Sequence, residues 1–318
     1  MAIFLSENDV RTLLTVEMAL ECVESAHRDL ALGQAIDTPR ARSRLPQTVL
    51  HILQGALPGQ GVIGYKAYTT NRSGNRFLVH LFDSATGLLR AVIEADYLGM
   101  IRTGAVSGVA ARALARPETR IAGIFGAGWQ AEGHIRAICA AIPLQQVKVF
   151  SRRTERLPAF CERLSALTGV SVVPAASAEE VVRGSQLIGT VTTSTQPLFE
   201  AEWLEAGTHI NAAGSNALIR QEVSEAAIRR CALVAVDSVP TALAEAGDLL
   251  PLLEKGRLHS RQLVEIGDVL VGRHAGRTDN EQITLFESQG MAIQDLAVAL
   301  RVLKAAENQG IGREIPMQ

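Results

Sequence analysis

Apolar positions recur at helical spacing across residues 7 to 33, where Val10, Leu13, Leu14, Met18, Ala19, Cys22 and Val23 mark one face. That period predicts a helix, with Ser6 placed to cap it. The pattern then shortens to strand-like runs at Thr48–Leu53, Val62–Thr69, Phe77–Asp83 and Leu88–Glu94. Turn signals separate them: Pro58-Gly59, Ser73-Gly74-Asn75 and Thr86-Gly87. A hairpin-rich sheet is expected. The Ala- and Gly-rich run Tyr97–Leu114 predicts a tightly packed helix.

From about Glu118 the rhythm changes to strand and helix in alternation. Strands are expected at Arg120–Phe125, Gln146–Ser151, Val170–Val173, Leu187–Val191, His209–Ala213 and Leu233–Asp237. Helices fit between them at Trp129–Ala141, Thr154–Leu167, Ala178–Gly184 and Gln221–Cys231, and Pro158 can displace the start of the second. Such alternation implies a parallel sheet covered on both faces. The last stretch, Gly290–Gln318, reads as a helix through Met291, Ile293, Leu296, Leu300 and Leu303, able to pack on either domain.

The 318 residues suit two domains. A net charge of -2 offers no basic surplus for a nucleic-acid backbone. The start, MAIFLSENDVRTLL, lacks the basic flank and apolar run of a signal peptide, and no apolar stretch approaches a membrane span. Cys22, Cys139, Cys161 and Cys231 form no CxxC pair and read as buried or half-buried thiols. His51, His80, His134, His209 and His274 show no ligand spacing and read as structural, so no metal is assigned. A soluble cytoplasmic protein is the expectation.

The strongest chemical signal is Gly126-Ala127-Gly128-Trp129-Gln130-Ala131, the GxGxxA form of the dinucleotide fingerprint. It follows an apolar strand directly and opens a helix. Gly126 permits the tight turn, Gly128 lets a pyrophosphate approach the backbone, and Ala131 keeps helix and strand close. The second strand runs into Ser151-Arg152-Arg153-Thr154, without the acid that would bind a ribose 2′-hydroxyl. A carboxylate repels a 2′-phosphate and a guanidinium binds it, so NADP(H) is favoured, with NAD(H) as the lesser fit.

Other signals are weaker alone. Lys66, in Gly64-Tyr65-Lys66-Ala67-Tyr68, is one lysine in an apolar run: either desolvated with a shifted pKa or snorkelling to the surface. Arg40 and Arg42, in Pro39-Arg40-Ala41-Arg42, suit a substrate carboxylate or a solvated loop. Arg102 in an apolar segment suggests a buried anionic partner, from substrate or from the fold. Asn211-Ala212-Ala213-Gly214-Ser215-Asn216 follows a parallel strand, so Ser215 and Asn216 can face a nicotinamide or form a plain turn.

Taken together, these blocks resemble the ornithine cyclodeaminase/mu-crystallin family. The likeness includes Gly64-Tyr65-Lys66, Phe82-Asp83 with Thr86-Gly87, Glu94-Ala95-Asp96 and Arg102-Thr103-Gly104-Ala105. It runs on through the fingerprint and Asn211–Asn216 to Gly267-Asp268-Val269, Gly276-Arg277, Ile283–Ser288 and Gly290–Asp295. The resemblance implies an α/β fold with two domains: a Rossmann-type doubly wound parallel sheet at 118–289, and an α+β substrate-binding and dimerisation domain at 1–117 and 290–318. A homodimer is implied, with the N-terminal sheets paired. Lys66 matches the active-site lysine, and Arg102 and Arg40 match carboxylate-binding arginines, with Arg42 an alternative. Ser288 matches a serine near the nicotinamide, and Arg102, Thr103, Thr192 and Ala213 complete the expected cofactor contacts.

Two departures carry weight. Asn216 stands where the cyclodeaminase has a catalytic aspartate, and an amide is no general base at neutral pH. Arg152 stands near the place of its NAD-binding acid. Both point to the reductase branch, with NADPH reducing a cyclic ketimine carboxylate, Δ1-pyrroline-2-carboxylate or Δ1-piperideine-2-carboxylate, to L-proline or L-pipecolate. Ornithine cyclodeamination with recycled NAD, amination of a 2-oxo acid as in an alanine-type dehydrogenase, and noncatalytic NADPH or ligand binding are the competing readings.

Overall fold

The computed structural model describes residues 2–72 and 74–316. The chain divides into two compact units, residues 1–102 with 290–318, and 103–289. Among the described residues, no helix is long and apolar enough to cross a membrane.

The first unit begins with β1 (Ala2–Leu5), α1 (Glu7–Leu13) and α2 (Val16–Ala31). Ser6 caps α1 with a capping box on Asp9. The helix expected over 7–33 is two helices, because Thr15 turns extended and caps α2 through the Met18 amide. A meander follows: β2 (Ile36–Arg44), β3 (Thr48–Leu57), β4 (Val62–Asn71), β5 (Gly74–Asp83) and β6 (Leu89–Glu94). Ser73, in the turn expected before β5, lies outside the described residues. The Arg40–Arg42 segment is strand and not loop: β2 pairs with β3, with a register shift between Thr38 and Ala41.

Helix α3 (Asp96–Leu114) leads to the second unit, whose boundary falls at Thr103 and not at 117. Gly104 explains the position. A Cβ there would come within 2.1 Å of the Gly133 carbonyl, so from this turn onward α3 lies backbone to backbone on the helix of the next unit. That unit contains β7 (Ile121–Phe125), α4 (Trp129–Ala141), β8 (Gln146–Phe150), α5 (Leu157–Thr168), β9 (Ser171–Pro174), α6 (Ala178–Val182), β10 (Leu187–Thr190) and β11 (His209–Ala212). It continues with α7 (Glu225–Ile228), β12 (Cys231–Val236), α8 (Val239–Glu245), α9 (Leu250–Glu254), β13 (Leu263–Glu265), α10 (Ile266–Leu270) and β14 (Ile283–Glu287). Its eight strands, ordered β13-β12-β14-β11-β10-β7-β8-β9, are all parallel. This is a Rossmann-type doubly wound sheet, with chain excursions to either side of β7.

Two expectations shift here. Pro158 sits in the first turn of α5 and delays its start to Leu157. The helix expected over Gln221–Cys231 shrinks to Glu225–Ile228, since Glu222 and Val223 give their amides to the buried Asp248 carboxylate.

The chain then returns to the first unit as α11 (Ala292–Gln309) and β15 (Arg313–Ile315). The seven-stranded sheet is ordered β15-β1-β6-β5-β4-β3-β2, antiparallel except for the parallel β1–β6 pair. Helix α11 lies against α2 and across β3, β4 and β5. Its Ile293, Leu296, Leu300 and Leu303 are fully or almost fully buried.

Candidate functional site

In the second unit the fingerprint forms the turn from β7 into α4. Gly126 has φ +116°, and a Cβ on it would stand 2.6 Å from the Val191 carbonyl oxygen at the end of β10. Only glycine satisfies both constraints. Gly128 is the cap residue of α4, no side chain caps this helix start, and a Cβ there would meet nothing within 4 Å. Ala131 is buried in the core with Ile124 and Ile135. Gly126, Ala127, Gly128, Trp129 and Gln130 remain half-buried or exposed. An open backbone at the start of a 13-residue helix fits a pyrophosphate.

Ser151, Arg152 and Arg153 follow β8, beside that turn in the sheet. Arg152 and Arg153 are exposed, and the Ser151 hydroxyl accepts from the Arg153 amide at 3.2 Å. The loops after β10 and β11, which carry Thr192 and Ala213, are fixed by one side chain. Glu222 accepts from the Thr192 amide at 2.5 Å and from the Gly214 amide at 2.8 Å.

Beneath these loops lie more buried carboxylates that the sequence reading missed. Glu287 accepts from the Ser215 hydroxyl and from Gln289 Nε2. Asp237 accepts from the Ser288 hydroxyl at 3.0 Å and from the Gln289 amide at 2.7 Å. Burial, and secondly repulsion from Asp248, raises Glu287 well above the carboxylate range; burial raises Asp248 to about 7. Glu287 and Asp237 anchor the loops through these hydrogen bonds. Of the two readings left open for Ser215, its full burial and its hydroxyl bond to Glu287 favour the structural turn; Asn216 is exposed.

In the first unit, Lys66 occupies the middle of β4. It pairs in register with Leu53 and Val79, both buried, so its side chain leaves the sheet between apolar neighbours toward α11. There its Nζ lies 2.7 Å from Asp295 Oδ2. Asp295 Oδ1 accepts from Arg102 Nε at 2.8 Å, so one carboxylate holds both cations. Arg102 Nη1 donates to Gln294 Oε1 at 2.7 Å, and Gln294 Nε2 stands 3.0 Å from His27 Nε2. Lys66, Arg102, Gln294, Asp295 and His27 are all at least nine-tenths buried. Gly290, at φ +78°, leaves room for the guanidinium: a Cβ there would come within 2.7 Å of Arg102 Nη1.

Burying an ion costs several kcal/mol, recovered only where partners are close. Here one buried anion faces two buried cations. Burial first, then repulsion from Arg102 and from Arg40, outweighs the attraction of Asp295 and brings Lys66 down to about 7. Of the two readings left open for Lys66, desolvation holds. Arg40 is half-buried in β2, within the register shift between Thr38 and Ala41, which pair with Gln54 and Ile52 of β3. Arg42 pairs with His51. Together with Arg44, they hold His51 down at about 4, after burial. A lysine that exchanges its proton near neutrality, set among arginines, can bind a carboxylate and hand a proton to a nitrogen.

Asp295, Gln294 and His27 drew no individual role from the sequence. For two of them a signal was present: Gln294 and Asp295 interrupt an apolar run, Ala292–Leu300, that is buried throughout.

The Ornithine cyclodeaminase/mu-crystallin family model matches residues 1–310. A Delta(1)-pyrroline-2-carboxylate reductase of Bacillus cereus is 33% identical over 323 residues, covering 98% of each chain. The solved structure of Thermococcus litoralis Delta(1)-pyrroline-2-carboxylate reductase, in complex with NADH and L-proline, is similar at TM-score 0.94 and 28% identity, covering 98% of this chain and 100% of that one. An archaeal alanine dehydrogenase dimer with bound NAD is 30% identical at TM-score 0.94, covering 100% and 99%. The chain belongs to the ornithine cyclodeaminase/mu-crystallin family.

Proposed function

We propose that the protein is an NADPH-dependent reductase of a cyclic ketimine carboxylate, Δ1-pyrroline-2-carboxylate or its six-membered homologue, forming L-proline or L-pipecolate. The observation that carries this reading is Lys66 on Asp295 beside Arg102, a proton donor set next to an anion site. The names of the similar reductases support the substrate class.

When bound, the reduced nicotinamide supplies a hydride. The protein's residues do the rest. Arg102 and Arg40 hold the substrate carboxylate and fix the ring. Lys66 Nζ gives its proton to the imine nitrogen as the carbon accepts the hydride, so the C=N bond becomes CH–NH. The Gly126–Gln130 turn cradles the pyrophosphate, and Thr192, Ala213 and Ser288 are assigned to the nicotinamide end. Asn216, an exposed amide, has no base to offer for deamination of ornithine. Turnover with the imine and NADPH, run beside L-ornithine with an ammonia readout, tests the reading.

Arg152 and Ser151 are assigned to the 2′-phosphate, with Arg153 beside them. Arg152→Asp is expected to raise the KM for NADPH by about 10-fold or more and move preference toward NADH, since a charged hydrogen bond is exchanged for repulsion. Steady-state kinetics with both cofactors check it; unchanged preference would give the phosphate to another group.

A homodimer is the proposed assembly. The outer face of the seven-stranded sheet carries Ile36, Ala56, Ile63, Tyr65 and Phe82 around one cavity, with Ile36 61% and Ile63 47% exposed. An apolar sheet face of this kind suits a second copy of the chain.

A further inference from the structure

We propose that Asp295 is a positioning residue that ties the proton on Lys66 to occupation of Arg102 by the substrate's carboxylate, so that the acid is fully loaded only when an anionic substrate is in place. The inference rests on the imine-reductase reading and adds regulation of the same site.

Lys66 and Arg102 share the two oxygens of one carboxylate, at 2.7 and 2.8 Å. The groups facing Lys66 are few. Helix α11 supplies Asp295, α3 supplies Arg102, and β2 supplies Arg40. Strands β3 and β5 supply the uncharged Leu53 and Val79. On its own strand the Tyr68 ring lies 5.9 Å from Nζ, and His27 of α2 reaches the group only through Gln294. Two fixed cations thus oppose the ammonium and one fixed anion favours it. With the site otherwise empty of anions, Lys66 sits at about 7 and is half charged at neutrality.

A carboxylate on Arg102 and Arg40 cancels the repulsion from both while Asp295 keeps its hold. The ammonium form is then favoured, and Lys66 takes up a proton from solvent. In the reaction its N–H bond breaks as the substrate N–H forms, and the C=N π pair passes to nitrogen as hydride reaches carbon. Lys66 ends neutral and reloads with the next substrate. Asp295 touches neither substrate nor cofactor in this scheme; it holds the ammonium in place and sets how far Arg102 can depress it.

The direct test is calorimetry of pyrrole-2-carboxylate, a planar anion that accepts no hydride, binding to the full-length protein just above pH 7 in buffers of different ionisation enthalpy. Uptake of about half a proton per site is expected in the wild type, where Lys66 starts half charged, and none in Asp295→Asn. In kinetics, the basic limb of kcat is expected about 1 pH unit or more above that of kcat/KM, because an opposite charge within a few Å shifts a group by that much. Asp295→Asn should move both limbs to lower pH, with activity recovered in acid, and Asp295→Glu should restore part of the wild-type profile. Binding without proton uptake in the wild type would overturn the proposal, as would an Asp295→Asn enzyme that is slower with an unchanged pH profile. If Asp295→Asn fails to fold, the wild-type calorimetry still decides. Failure of the reductase reading is separately visible, as wild-type enzyme that oxidises no NADPH with the imine.

Discussion

Lys66→Ala is expected to lower turnover of the imine by about 1000-fold while NADPH binding is unchanged. A positioned general acid contributes roughly 100- to 10,000-fold, and alanine removes the lysine that stands on Asp295. The Gly126–Gln130 turn belongs to the other unit of the chain, which keeps its own core. Single-turnover kinetics and NADPH titration separate the two effects. Wild-type turnover in Lys66→Ala would remove the lysine from the chemistry. The longer Lys66→Met supplies a stability control. Lys66 is held at about 7, far below its ordinary 10.5, so the folded state disfavours its charge. Between those values the unfolded chain binds more protons, and this group makes stability rise with pH. Lys66→Met is expected to remove that slope in denaturant titrations from about pH 7 to 10.

Arg102→Leu is expected to lower kcat/KM by about 100-fold or more, chiefly through KM, because a carboxylate contact made in both ground and transition states is lost. It carries a second signature. Repulsion from Arg102 is the largest cause after burial of the low Lys66 pKa, so its removal lets Lys66 stay charged to higher pH. The basic limb of the rate profile should therefore move up even as the rate falls. A general loss of structure would lower the rate without moving the limb. Arg102→Lys keeps a charge beside Asp295 and guards against misfolding: truncating one partner of a buried pair costs about 3–5 kcal/mol. Wild-type kcat/KM in Arg102→Leu would place the carboxylate elsewhere.

The fingerprint was legible because its chemistry and its local structure coincide. Gly126 has to be glycine for its φ and for its approach to Val191, and both needs are written in one short run of sequence. The alternation of β7–α4–β8–α5 was legible for the same reason, and Trp129–Ala141 falls where the pattern put it. Lys66 was conspicuous as a charge in an apolar strand, though only the fold supplies the partner that distinguishes a desolvated lysine from a snorkelling one. That partner, Asp295, lies far along the chain on a helix that returns to the first unit. Long-range pairings of this kind leave no local period. Glu222 shows the same limit from the other side. Its setting reads as the start of a helix, and tertiary demand overrides it, since two loop amides need an acceptor. The segment around Arg40 reads as loop because Pro39 and its neighbouring arginines are poor strand formers; an edge position and a register shift let β2 carry them.

Hydride transfer to an imine is read from isotope transfer out of the cofactor. Enzyme supplied with Δ1-pyrroline-2-carboxylate and NADPH deuterated at the transferable C4 position should yield proline with one deuterium on its α-carbon, matched to NADPH consumed, while L-ornithine releases no ammonia. Proline and ammonia from ornithine, with no net loss of NADPH, would contradict the account and show that an asparagine at 216 suffices for deamination.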